Sequence, residues 1–192
     1  MSWFMKSCTL PLVLLCMWQL QEGAQACSCL RMHPQTLICQ ADVIIKAKVV
    51  AEKYEGEYNN TIKYDIDQTM TFKGPERIFH TVYTQSSSAR CGRTLTIGTE
   101  YFIAGLLNSE GLLRISLCDY VGPWEVVRAG QLSLVQRYMR NCDCDISYCA
   151  AFSCDMSNPT GCLFADWLPF DLICTKRRDG SCAWYKAPVL AK

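Results

Sequence analysis

A chain of 192 residues with 19 Lys plus Arg against 18 Asp plus Glu has no net field to select nucleic acid or an anionic membrane, so shape must choose its partners. The length fits one domain or two small ones, and 14 cysteines mark a chain built around disulfides.

Lys6 precedes an apolar run over 10–20 that ends in a polar stretch and the small-residue site Ala24-Gln25-Ala26, the pattern of a signal peptide over 1–26. The run is too short to cross a bilayer, and no later stretch approaches ~18 uninterrupted apolar residues. A secreted chain with no membrane span is therefore expected, with Cys27 as its first residue. A bacterial lipoprotein also starts at cysteine, but its cleavage box normally opens with Leu, where this chain has Ala24, and such chains seldom carry many more cysteines. Losing Cys8 and Cys16 leaves 12 cysteines, an even number that reads as six bridges in an oxidising compartment. Each bridge contributes roughly 2 to 4 kcal/mol in the loop-entropy picture.

Cys27-Ser28-Cys29, His33 and Cys39 resemble a zinc cluster locally, yet export and a total of two histidines argue against one. A cysteine-histidine catalytic pair is discounted for the same reason, since the thiols are consumed as bridges, and no enzyme activity is expected. Pro34 opens a short helix over 35–40, with His33-Pro34-Gln35 capping it and packing on the barrel that follows. β-rich runs at 43–50, 61–72, 78–84, 101–107 and 112–117 are bounded by Gly, Asn, Ser or charge clusters, and five such strands suggest a mainly β fold with a small barrel. Asn59-Asn60-Thr61, in the loop between the first two strands, is a glycosylation acceptor at Asn59, whereas Asn158-Pro-Thr160 is excluded by its proline. Lys73-Gly74-Pro75 ends the second strand, and Asn108-Ser-Glu-Gly111 is a hairpin loop. Leu134, Val135 and Tyr138 stand at helical spacing over 133–139, after the aromatic turn Pro123-Trp124. Trp124, Trp167 and Trp184 are expected in the core.

From Asn141 the composition shifts: the last 52 residues hold seven of the twelve mature cysteines, with turn signals at 158–161 and 178–180 and little strand periodicity. An N-terminal domain over 27–142 and a small disulfide-rich subdomain over 143–192 are expected. The basic cluster Lys176-Arg-Arg178 reads as a solvated loop in preference to a contact with sulfated matrix.

The start Cys27-Ser-Cys-Leu-Arg-Met-His-Pro-Gln35, with Cys39 and Ala41-Asp-Val-Ile-Ile-Lys-Ala-Lys48, resembles the opening of the tissue inhibitors of metalloproteinases. Tyr101-Phe-Ile-Ala-Gly105, Cys118-Asp-Tyr-Val-Gly-Pro-Trp124, Leu132-Ser-Leu-Val-Gln136, Cys162-Leu-Phe-Ala-Asp-Trp167 and Cys182-Ala-Trp-Tyr185 extend the resemblance over essentially the whole mature chain. By cysteine order it implies the pairs Cys27 with Cys91, Cys29 with Cys118, Cys39 with Cys142, Cys144 with Cys182, Cys149 with Cys154 and Cys162 with Cys174, a choice that sequence alone leaves open. It also implies that the five strands close into an OB-type Greek-key barrel with flanking helices.

The function implied is that of a secreted inhibitor of zinc metalloendopeptidases, with secreted or membrane-bound matrix metalloproteinases and related proteases as partners and no cofactor of its own. The α-amino nitrogen and carbonyl oxygen of Cys27 would chelate the catalytic zinc of the target. Ser28 would enter the mouth of the primary specificity pocket, Cys29 would fix the terminus through its bridge, and Leu30 and Arg31 would follow the substrate groove. Ser88, Ala89 and Arg90, clamped beside Cys27 by Cys91, would form a second contact strand. Arg90 stands where relatives more often have a small or apolar residue, and Leu30-Arg31-Met32 lacks a proline common there. The C-terminal subdomain offers possible proenzyme or matrix contacts, although the tail over 185–192 lacks the acidic residues of the family members that bind proenzyme best. A monomer is expected. The alternative is a netrin-like matrix-binding module, which sits within larger chains and needs no free N-terminus.

Overall fold

The computed structural model describes residues 27–150, 154 and 159–186. The signal segment 1–26, the excluded acceptor at Asn158 and the tail beyond Lys186 lie outside the described residues.

Five strands form a closed ring. β1 (Val43–Glu55) pairs with β2 (Thr61–Lys73), β2 with β3 (Thr81–Gln85), β3 in parallel with β5 (Leu113–Arg114), β5 with β4 (Glu100–Leu107), and β4 returns to β1. A sixth strand, β6 (Val121–Pro123), adds to β4 at Tyr101 to Ile103. This closed, mainly β architecture has the OB-type form that the resemblance implies.

The alternation of β1 explains the ring's interior. Val43, Ile45, Ala47 and Val49 point inward at a period of two and join Ile62, Tyr64, Ile66, Val82, Ile103 and Leu113 in one core. Ile44 faces the other way and is equally buried, in a second cluster with Ile38, Phe102, Trp124, Val127, Val135 and Tyr138. Phe102 belongs to β4, and the other partners come from three helices laid on the outer face of β1 and β4: α1 (Pro34–Gln40), α2 (Trp124–Gly130) and α3 (Leu132–Met139). Burial of one such Ile or Phe side chain stabilises by about 1.5 to 3 kcal/mol, so the outer cluster holds the helices without help from their short length.

Several expectations change. β1 runs to Glu55, past its apolar run at 43–50, because its far end pairs with the first residues of β2, while β2 ends one residue later than expected, at Lys73. β5 shrinks to two residues, and the chain after it leaves the sheet toward Cys118. Trp124 opens a helix where a turn was expected, and it is buried with the Lys46 ammonium 5.0 Å from its ring centroid. Trp167 is 64 % exposed and corrects the expectation of a core residue. It lies in a turn over residues 166–168.

The C-terminal region contains four short strands that its sequence pattern did not announce. β7 (Asp145–Tyr148) pairs in parallel with β8 (Gly161–Phe164), and β9 (Leu172–Lys176) pairs antiparallel with β10 (Cys182–Lys186). Their small core is Cys144, Cys162 and Cys174 with Ile146, Cys182 and Trp184, so bridge sulfur takes the place of the aliphatic periodicity that marks a strand.

His33 also corrects its expectation. It does cap α1, its Nδ1 accepting from the Gln35 N–H at 3.2 Å, but it packs on Tyr138, Phe164, Phe170 and Trp184 and not on the barrel. The Cys39–Cys142 bridge ties α1 to the chain just before β7 and folds the C-terminal strands over residues 33–35.

Candidate functional site

Two bridges anchor the first described residues, Cys27 to Cys91 and Cys29 to Cys118. The sulfurs of Cys27, Cys91 and Cys118 lie within 4.8 Å of one another, so the two bridges stack and residues 27–29 are pinned twice within three positions. Ser28, Cys29, Leu30 and Arg31 are all exposed, Leu30 at 83 %. Leu30 is thus an exposed apolar side chain on a segment held by two bridges.

The turn that receives Cys27 is built for close approach. Ser88–Arg90 form one helical turn, and Cys91 closes it with φ +63°. The N–H groups of Arg90 and Gly92 donate to Ser87 O at 3.1 and 2.9 Å, and that of Cys91 donates to Ser88 O at 3.0 Å. Gly92 then passes the Gln85 carbonyl so closely that a Cβ there would lie 1.9 Å from its oxygen. Only glycine fits.

The turn that receives Cys29 is stitched to the first. Leu117 N–H donates to Cys91 O at 2.8 Å. The Asp119 carboxylate accepts from Ser116 N–H at 2.6 Å and from its hydroxyl at 2.7 Å, and Cys118 N–H donates to Ser116 Oγ at 3.1 Å. Beneath both turns the Arg93 guanidinium donates to Val121 O at 2.5 Å, and Arg93 N–H donates to the buried Thr84 hydroxyl at 2.9 Å. The sequence named the outer residues of this edge. Gly92, Asp119 and Arg93 were missed, although a glycine directly after a bridging cysteine and a Ser-x-x-Asp turn were visible signals.

Ser88, Ala89 and Arg90 are exposed on the turn bridged to Cys27, next to the edge they were expected to extend. Arg31 differs. Its guanidinium ion-pairs with Asp166 of the C-terminal region at 2.5 Å, and the Tyr148 hydroxyl donates to the same carboxylate at 3.1 Å. Hydrogen bonding to Asp166 and its charge raise the Arg31 pKa further above its ordinary value. Beside the Cys29–Cys118 bridge an apolar cleft of about 450 Å³, lined by Met32, Leu37, Leu107 and Ile115, continues the surface.

The sulfur groups offer no metal site of their own. Cys27, Cys91 and Cys118, like Cys144, Cys174 and Cys182, are bound in disulfides and supply no thiolate. His33 is 1 % exposed, and burial lowers its pKa to about 4, so it is neutral at physiological pH.

Residues 25–184 match the family described as Tissue inhibitor of metalloproteinase. The chain belongs to the tissue inhibitor of metalloproteinase family. It is 42 % identical to Metalloproteinase inhibitor 2 of Cavia porcellus, over 97 % of this chain and 94 % of that protein. It is likewise 42 % identical to Metalloproteinase inhibitor 2 of Homo sapiens, over 95 % and 92 %, and 41 % identical to that of Gallus gallus, over 85 % and 83 %. The relatives are named as inhibitors, not as enzymes. No helix among the described residues of this family member is long and apolar enough to cross a membrane.

Proposed function

We propose that this chain, exported and cleaved after Ala26, is a monomeric inhibitor of zinc metalloendopeptidases, the matrix metalloproteinases foremost. The names of its relatives support the target class. The observation that carries the mechanism is the double pinning of residues 27–29 by two stacked bridges, with Ser28 to Arg31 left exposed.

A catalytic zinc of such a protease has three protein ligands and an open position for the attacking water. The α-amino nitrogen and carbonyl oxygen of Cys27 close a five-membered chelate on that zinc and displace the water. The thiol takes no part, because it is bound to Cys91. Pinning the terminus beforehand lowers the ordering cost of association. The amine must give up its proton to bind, and with a reference pKa of about 7.7 to 8.0 it competes with protons at physiological pH, so inhibition weakens in acid.

In this reading Ser28 fills the mouth of the specificity pocket with a small hydroxyl, Leu30 rests in the substrate groove, and Ser88 to Arg90 make the second contact. Arg31 reaches the target as one half of its pair with Asp166. Residues 27–142 carry the inhibitory domain and 143–192 brace it. Asn59, exposed in a turn at the end of the β1–β2 ribbon, is free to carry a glycan. The test is a panel of inhibition constants against secreted and membrane-bound metalloproteinases. Sub-micromolar inhibition of at least one supports the proposal, and none across the panel leaves the netrin-like binding role as the better account.

A further inference from the structure

The Arg31 guanidinium, next along the chain from the exposed Leu30, meets two residues of the C-terminal region. It pairs with Asp166 Oδ1 at 2.5 Å, and the Tyr148 hydroxyl donates to the same oxygen at 3.1 Å. Tyr148 also acts on the guanidinium directly, and both neighbours favour its charged form. The fold sets this meeting. Tyr148 ends β7 opposite Phe164 of β8, and Asp166 follows Phe164 by two residues. Phe164 packs against His33 with ring centroids 5.2 Å apart, and Arg31 precedes His33 by two. The ion pair therefore stands two residues along each chain from a buried aromatic contact that holds the two backbones in place.

The Arg31 and Asp166 side chains are 65 % and 52 % exposed. An ion pair so open to water contributes little to stability, so holding the fold together does not account for it. Its place on the surface does. Of the two cations on the proposed edge, Arg90 makes no ion pair among the described residues, whereas Arg31 brings its own counter-charge. A guanidinium pressed into a protease groove loses water, and that loss is costly where no acid stands opposite. Asp166 supplies the acid from within the inhibitor, whatever the target presents.

We propose that Asp166, oriented by Tyr148, is a specificity-determining residue: it masks the Arg31 cation, so that the side of the edge formed by Leu30 and Arg31 accepts metalloproteinases whose groove rim offers no acid. This rests on the inhibitory reading above and adds to it a part for the C-terminal region in the choice of target. Tyr148 is a positioning residue that acts through the carboxylate it donates to. Without the Asp166 charge, Arg31 becomes a bare cation that draws acidic rims and repels basic ones. Without Arg31, a bare carboxylate remains and the preference reverses.

The test measures association rates and inhibition constants of the full mature chain against two matrix metalloproteinases, one with an acidic groove rim and one with a basic rim, at low and at physiological salt. Asp166→Asn keeps an acceptor for the Tyr148 hydroxyl and removes the charge. It should speed association with the acidic-rim enzyme by about twofold to fivefold and slow it with the basic-rim enzyme by a similar factor, both shifts shrinking as salt rises. Arg31→Gln should reverse both signs, and R31Q/D166N should bring the ratio between the two enzymes back toward that of wild type. Tyr148→Phe should shift the ratio in the direction of Asp166→Asn by a smaller factor. A merely structural pair would weaken both enzymes alike at every salt concentration. That result, an unchanged ratio in Asp166→Asn, or a double variant no nearer to wild type than the single ones overturns the proposal. Failure of wild type to inhibit either enzyme or any other metalloproteinase would instead overturn the inhibitory reading, and this proposal with it.

Discussion

The side-chain amide of Gln35 pairs with the backbone of Cys174 in both directions. Its Nε2 donates to Cys174 O and its Oε1 accepts from Cys174 N–H, each at 2.8 Å, and the same Nε2 donates to Asn141 O at 2.5 Å. Gln35 lies eight residues after the proposed first residue, so the segment proposed to carry the inhibitory edge is locked directly into the C-terminal strands. Gln35→Ala leaves a buried N–H and two carbonyls without this partner and should destabilise the protein by about 1 to 3 kcal/mol for the group hardest to resatisfy. Chemical denaturation of the two proteins, with bridges intact, gives the difference.

Stability should depend on pH through His33. Burial holds its folded pKa at about 4, below the ordinary value of 6.5, so the folded protein favours the neutral ring. The unfolded chain therefore binds the proton first as pH falls. The contribution of the neutral ring is fully present above about 6.5 and is lost progressively toward pH 4, on the order of 3 kcal/mol in all. His33→Asn keeps an acceptor for the Gln35 N–H and cannot titrate. Its unfolding free energy should be flatter between pH 6.5 and 4 than that of wild type; equal slopes would remove His33 as the cause.

Gly92→Ala tests the turn beneath Cys91. The added Cβ would meet the Gln85 carbonyl oxygen at 1.9 Å, and a backbone atom cannot swing aside as a side chain can. The turn must move, carrying Cys91 and with it Cys27. The expected result is a loss of stability of about 1 to 3 kcal/mol together with at least tenfold weaker inhibition. Thermal unfolding and an inhibition constant measured on the same preparation separate the two effects.

Much of the fold was legible because it rests on local pattern. The period of two in Val43, Ile45, Ala47 and Val49 identified β1, and Pro34 identified the start of α1. α2 was missed because only Trp124 and Val127 mark its buried face in seven residues. The C-terminal strands were missed because their core is sulfur. No local signal could connect His33 to Phe164 and Trp184, or Gln35 to Cys174, since these contacts are set by how the bridges fold the chain. At the edge itself, Cys27-Ser-Cys29 was legible, whereas the bridge partners came only with the family resemblance, and the ion pair of Arg31 with Asp166 was not foreseen.

A fragment ending at Cys142 keeps the Cys27–Cys91, Cys29–Cys118 and Cys39–Cys142 bridges. It uncovers His33 and Gln35, which the C-terminal strands bury. The fragment should inhibit within about tenfold of the whole protein, unfold at lower temperature, and lose the pH dependence assigned to His33. A folded fragment without inhibition would place the inhibitory surface elsewhere.

The central claim is that the main chain of Cys27 meets the target's zinc, and one added residue tests it most directly. A protein refolded with a single extra alanine before Cys27 keeps every bridge and side chain but turns the amine of Cys27 into an amide, with no basic lone pair and with new atoms in the space above the metal. Its inhibition constant against a matrix metalloproteinase should rise at least about a hundredfold, roughly 2.7 kcal/mol, with an unchanged circular dichroism spectrum. Inhibition equal to that of the unextended protein would contradict the chelate.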